Sequence, residues 1–201
     1  MSVIQDAVKE LEQRLQDSGC ESGIVTLGVN YEAEKCQYPK GVCMEAEFGG
    51  SSGEFITTDP LRAKTRVSFM FDAPLTDPKQ RGAACAITNA VSAFLCMARK
   101  LHACTPDNYR ECRADLARVI AGKTIYCVGP NYVVEETMKE YLTDDPAAAD
   151  IFLVTGQGLV SDEGLSVIDA WQGKKRMFFL GPSTAGVSAL LDLEHWCPYG
   201  R

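Results

Sequence analysis

The chain has 201 residues, 46% of them hydrophobic, and carries a formal net charge of −7 at pH 7. That length suits one large domain or two small ones with a real core. The negative balance, unrelieved by any basic patch, argues against a phosphate backbone as partner. No run of residues has the length and apolarity of a membrane span or a signal-peptide core, which predicts a soluble, cytoplasmic protein with no membrane partner.

Residues 3–15 place Val3, Ile4, Ala7, Val8, Leu11 and Leu15 at helical spacing, so the chain opens with an amphipathic helix. Residues 23–36 and 42–48 read as strands joined by Tyr38-Pro39-Lys40-Gly41, a type I turn with proline at its second position. That hairpin sets Cys36 opposite Cys43, Glu34 opposite Glu45, and Glu32 opposite Glu47. Like charges then face each other, which a bound cation or, more simply, Lys64 and Arg66 on the next strand would offset. Residues 49–53, Gly-Gly-Ser-Ser-Gly, read as a loop. Residues 64–71 read as a third strand with Thr65, Val67, Phe69 and Phe71 on one side.

Asp77-Pro78 starts the longest helix, with proline at its first position. Ala84, Ile87, Val91, Phe94, Ala98 and Leu101 form its apolar stripe. Beside it runs a small and polar stripe of Arg81, Cys85, Asn89, Ser92 and Cys96, in which Asn89 is either a packing amide or a ligand contact. Thr105-Pro106 opens a shorter helix with Tyr109, Cys112, Leu116, Val119 and Ile120 inward, closed by Gly122. The lobe boundary falls near residue 104, giving an N-terminal α+β lobe over 1–104 and a second lobe over 105–201.

From residue 124 one pattern occurs three times: a short apolar strand, a glycine-containing turn, then a helix. The strands are 124–128, 150–154 and 177–180, and the turns are Gly129-Pro130-Asn131, Thr155-Gly156-Gln157-Gly158 and Gly181-Pro182-Ser183-Thr184. Such repetition predicts a mainly parallel sheet in an α/β lobe, with ligands outside the carboxyl ends of its strands. Both glycine turns after the second and third strands offer amides and hydroxyls to an anion.

The ordered set Arg81-Gly-Ala-Ala-Cys-Ala-Ile-Thr-Asn-Ala90, Gly122-Lys-Thr-Ile-Tyr-Cys-Val-Gly129, Val154-Thr-Gly156 and Leu180-Gly-Pro-Ser-Thr184 resembles the heavy-metal chelation family. The resemblance implies an enolase-N-terminal-like lobe followed by a small Rossmann-like three-layer lobe, with a site between them. By position it points to Asn89, Gly129, Pro130, Asn131, Thr155, Gly156, Gly181, Pro182, Ser183 and Thr184 as ligand-binding residues. The chain departs from the family in a short connection over 143–150 and in Ser161-Asp-Glu-Gly164 where Asn-Gly-Thr is usual. It also stops at Arg201, short of the family's usual end. One side of the pocket is then missing or supplied by a second subunit, as in a homodimer.

Nine cysteines without a Cys-x-x-Cys pair and without a secretory signal predict reduced thiols that mostly pack as small apolar groups. The two histidines each stand two residues before a cysteine, as His102-Ala-Cys104 and His195-Trp-Cys197. In extended segments these pairs would chelate, and together they supply four donors for zinc or another transition metal. The leading expectation is a protein that binds a small anionic or metal-chelating ligand between its lobes. The alternatives are a transferase or lyase acting on a phosphorylated or carboxylated metabolite, and an inert interaction module. No Walker, G-x-G-x-x-G or G-x-S-x-G motif is present.

Overall fold

The computed structural model describes residues 2–201. Helix α1 (Val3–Leu15) starts with a capping box between Ser2 and Gln5, and its six apolar stripe residues are all buried. Four strands follow, β1 (Ile24–Asn30), β2 (Val42–Phe48), β3 (Ser51–Thr57) and β4 (Ala63–Arg66), forming an antiparallel sheet in the order β3-β2-β1-β4. Val25, Leu27, Met44, Ala46, Phe48 and Phe55 share its inner face and join the core beneath helix α2 (Pro78–Phe94). Asp77 caps α2 by accepting from the Gln80 amide, with Pro78 in the first turn.

The hairpin register differs from the expected one. Asn30 lies opposite Cys43, Gly28 opposite Glu45, and Thr26 opposite Glu47. Tyr38, which was to sit in the turn, is instead buried in the second core, its hydroxyl 3.3 Å from the Cys112 sulfur. Residues 31–41 therefore cross to the other lobe rather than closing a hairpin. The true hairpin turn is Gly49-Gly50, with φ of +58° and +84°. Two positive φ values are what a two-residue loop between twisted strands requires. The segment read as a loop thus becomes the turn and the start of β3.

Two other elements end early. The strand over 64–71 stops at Arg66, because a 3-10 turn (Val67–Met70) brings Val67 and Met70 inward together and leaves Phe69 74% exposed. Helix α2 ends at Phe94, and Leu101 continues in an extended segment that accepts a hydrogen bond from the Glu54 amide.

The second half contains α3 (Tyr109–Ile120), β5 (Ile125–Val128), α4 (Tyr132–Thr137), β6 (Ile151–Val154), α5 (Gly156–Val160), α6 (Asp162–Trp171), β7 (Arg176–Leu180), α7 (Ala185–Leu190) and β8 (His195–Trp196). Its sheet is parallel in the order β5-β6-β7-β8. Ile151, Leu153, Phe178 and Leu180 pack with α3 and α4 residues on one face. Phe152, Val154, Met177 and Phe179 point the other way into the core that α1 and α2 share. The architecture is a two-lobed α/β fold, an antiparallel sheet followed by a three-layer parallel one. Helix α2 is the common wall: every residue from Arg81 through Ser92 is buried.

Candidate functional site

Glu45 on β2 and Glu54 on β3 are directly paired, and both point away from the α2 side of the sheet. Two carboxylates facing each other across adjacent strands repel, so the site must supply positive charge. The group placed to do so, when protonated, is His102, whose Nδ1 lies 3.0 Å from Glu54 Oε1. Glu54 is only 4% exposed, and its second oxygen accepts from the Ala103 amide at 2.9 Å. Glu45 accepts from the Asn30 side chain at 3.3 Å. The His102 backbone is clamped by two hydrogen bonds with Arg201, at 2.8 and 2.9 Å. Ligand atoms of Glu45, Glu54 and His102 all lie within 4.8 Å of one another.

The hydrogen bond to Glu54 raises the His102 pKa above the usual histidine value, against the opposing effect of burial. Stability from this pair is therefore fully present below about pH 6.5 and is lost as pH rises through the raised value. A cation would take the place of that proton. Carboxylate oxygens with an imidazole nitrogen suit zinc and its first-row neighbours. The pairing was readable in principle: a two-residue turn at Gly49-Gly50 sets Glu45 opposite Glu54.

The three glycine turns come together as the sequence suggests, but most of their polar side-chain atoms are already used, with Asn131 Nδ2 and Gln157 Oε1 buried without a partner. A Cβ on Gly129 would lie 2.3 Å from the Gly158 amide, and one on Gly156 would lie 2.6 Å from the Ser183 side chain. Thr155 caps α5 by accepting from the Gly158 amide at 3.2 Å. Asn131 caps α4 and is fully buried, whereas Pro130 is exposed. Ser183 Oγ accepts from the Ile56 amide at 3.0 Å, and Thr184 Oγ1 donates to the Gly181 carbonyl at 3.1 Å. Asn89 is the packing amide: it donates to the Glu54 carbonyl at 2.8 Å and the Pro182 carbonyl at 3.1 Å, and accepts from the Gly186 amide at 2.7 Å. Strand β3 fills the place where an open crevice was expected. The open cleft between the lobes lies elsewhere, about 530 Å³ lined by Asp59, Asp77, Lys79, Gln157 and Ser161 among others.

The chain is similar in structure to a protein of unknown function from the DUF364 family of Pyrococcus horikoshii. The TM-score is 0.51 at 14% identity, covering 90% of this chain and 79% of that one. At this identity the likeness shows the fold alone, and it carries no heavy-metal chelation role to this chain. No family model matches the chain, and no curated protein matches it.

Within that fold the two His-x-Cys pairs divide. His102 turns to Glu54, while His195 Nε2 sits 2.9 Å from the Gly181 carbonyl, and burial lowers its pKa. Cys104 and Cys197 instead meet Cys36 and Cys112 around a cavity of about 10 Å³ beside Gly181, room for one water-sized occupant. The four expected metal donors thus do not assemble: Glu45, Glu54 and His102 are the one grouping of three or more donors close enough for an ion among the described residues. Burial pushes the Cys197 thiol up to about 12 and the Cys36 thiol higher still. Thiolate is the reactive form, so a disulfide reagent at pH 7.5 should label exposed Cys96 within minutes and leave Cys36 and Cys197 unlabelled until the protein is denatured. Peptide mapping after timed labelling checks this, and early modification of Cys197 would contradict it.

Proposed function

We propose that this protein binds a divalent transition-metal ion, zinc first among them, through Glu45, Glu54 and His102. The observation that carries the reading is the direct pairing of two carboxylates beside an imidazole whose proton a cation can replace. Asn30 holds Glu45 from behind, and the Ala103 amide orients Glu54, as outer partners of metal ligands commonly do. Glu45 also lines a cleft on the outer sheet face with Thr26, Asn30, Tyr31 and Glu47. Three protein donors leave a fourth position facing this cleft for water or an oxygen of a small chelating ligand. The role is therefore metal-dependent capture of a small ligand on the outer face of the antiparallel sheet.

Calorimetric titration with zinc at pH 6 and pH 8 tests this. One equivalent should bind, and more tightly at pH 8, because the ion competes with the His102 proton. His102→Ala should weaken binding at least about 100-fold, more than loss of an outer partner does. Cys104→Ser with Cys197→Ser should leave it unchanged. Zinc binding that survives His102→Ala and Glu45→Gln but disappears with the thiols would move the metal to the cysteine cavity and defeat the reading.

A further inference from the structure

We propose that the free edge at β4, with the apolar groove beneath it, docks an extended segment of a partner protein in which acidic and apolar residues alternate. The inference is independent of the metal reading. Strand β4 is the outermost of its sheet. The Val67 amide donates to the Gly23 carbonyl at 3.0 Å, and bonded pairs alternate along an antiparallel ladder. Thr65 and Ala63 therefore bond inward to β1, while the backbone N–H and C=O groups of Lys64 and Arg66 point outward. No other segment among the described residues hydrogen-bonds to that edge. Such an edge is a template for an added strand.

The side chains say which strand. On the inner side, Leu27, Ala63, Met70, Ala83 and Ile87 wall a groove of about 160 Å³ between β4 and α2, with exposed Phe69 at its rim. An added strand would direct every second side chain into this groove. On the outer side, Arg62, Lys64 and Arg66 recur at every second residue, all exposed. None of the three has an acidic partner within 4.0 Å among the described residues, in a chain of net charge −7. The same charges disfavour a second copy, because β4 paired with itself about Thr65 would set Lys64 opposite Arg66. An acidic, apolar-alternating segment satisfies the edge, the groove and the charges together.

Fluorescence anisotropy with a labelled Glu-Val-Glu-Val-Glu peptide tests the site. Binding should be saturable, weaken with salt, and exceed that of a Lys-Val-Lys-Val-Lys peptide about tenfold or more. Lys64→Glu with Arg66→Glu should reverse that preference. Arg66 has φ of −87° and an outward amide, so Arg66→Pro is compatible with the fold; it should abolish binding that Arg66→Gln only weakens. Unchanged circular dichroism confirms that the variants fold. Absence of saturable binding, or binding indifferent to charge reversal, overturns the proposal. A dimer in sedimentation that Arg66→Pro dissociates would also overturn it, giving the edge to a second copy.

Discussion

Asn89→Ala should lower the unfolding free energy by about 4 kcal/mol, read from urea denaturation followed by circular dichroism. The side chain is completely buried and serves three backbone groups on two other segments: the Glu54 and Pro182 carbonyls and the Gly186 amide. Truncation orphans all three, and a buried unsatisfied polar group costs about 1–3 kcal/mol. The neighbouring backbone cannot close the gap with a larger residue. A Cβ on Gly53 would lie 2.5 Å from the Asn89 Cβ, and one on Gly186 would lie 3.0 Å from the Asn89 Cα, atoms that remain in the alanine variant. A loss below about 1 kcal/mol would show that water takes over the three bonds, and would remove Asn89 as the clamp between the lobes.

Gly158→Ala should be worse tolerated than a glycine replacement usually is, costing more than about 3 kcal/mol or preventing folding. Its Cβ would stand 1.9 Å from the Val128 carbonyl oxygen, and both atoms belong to backbone held in the parallel sheet or the α5 turn. Nothing flexible can give way. Gly28→Ala is the matched control, because no atom lies within 4 Å of the added methyl and φ there is not positive. It should stay within about 0.5 kcal/mol of the parent. Equal effects at the two positions would contradict the close approach of α5 to β5.

The sequence made three strands of the parallel sheet legible to within a residue or two, because each is a short apolar run closed by a glycine-containing turn, whereas the two-residue β8 carries no such signal. The antiparallel half was less legible. Ser51-Ser52-Gly53 has the composition of a loop, yet it pairs fully with β2, since the Gly-Gly turn and the burial of Phe55 and Ile56 outweigh its poor strand propensity. Tyr38 looked like a turn residue because Pro39 follows it, and only tertiary packing against Cys112 sends it inward. The candidate site followed the same division. His102 stood out by its scarcity, but its partner Glu54 lies on β3, whose opening residues Ser51-Ser52-Gly53 have the composition of a loop and so hide its pairing with Glu45. The hydroxyls of Ser183 and Thr155 looked like ligand groups because local sequence cannot show that β3 and the turns themselves would consume them.

The bond from the Ile56 amide to Ser183 bears on how the chain can be made. During synthesis β3 leaves the ribosome with β2 beside it, but the acceptor for one of its inner amides is more than a hundred residues behind. The same delay applies to Asn89, which waits for Pro182 and Gly186. Nascent chains stalled near residue 130 should therefore hold the antiparallel lobe in a loose, protease-sensitive state. Protection should arrive in one step once the segment after β7 has emerged. Unlike a string of domains that mature in turn, this fold should become native in one late step, with its demand on chaperones lasting until the segment after β7 is free to pair.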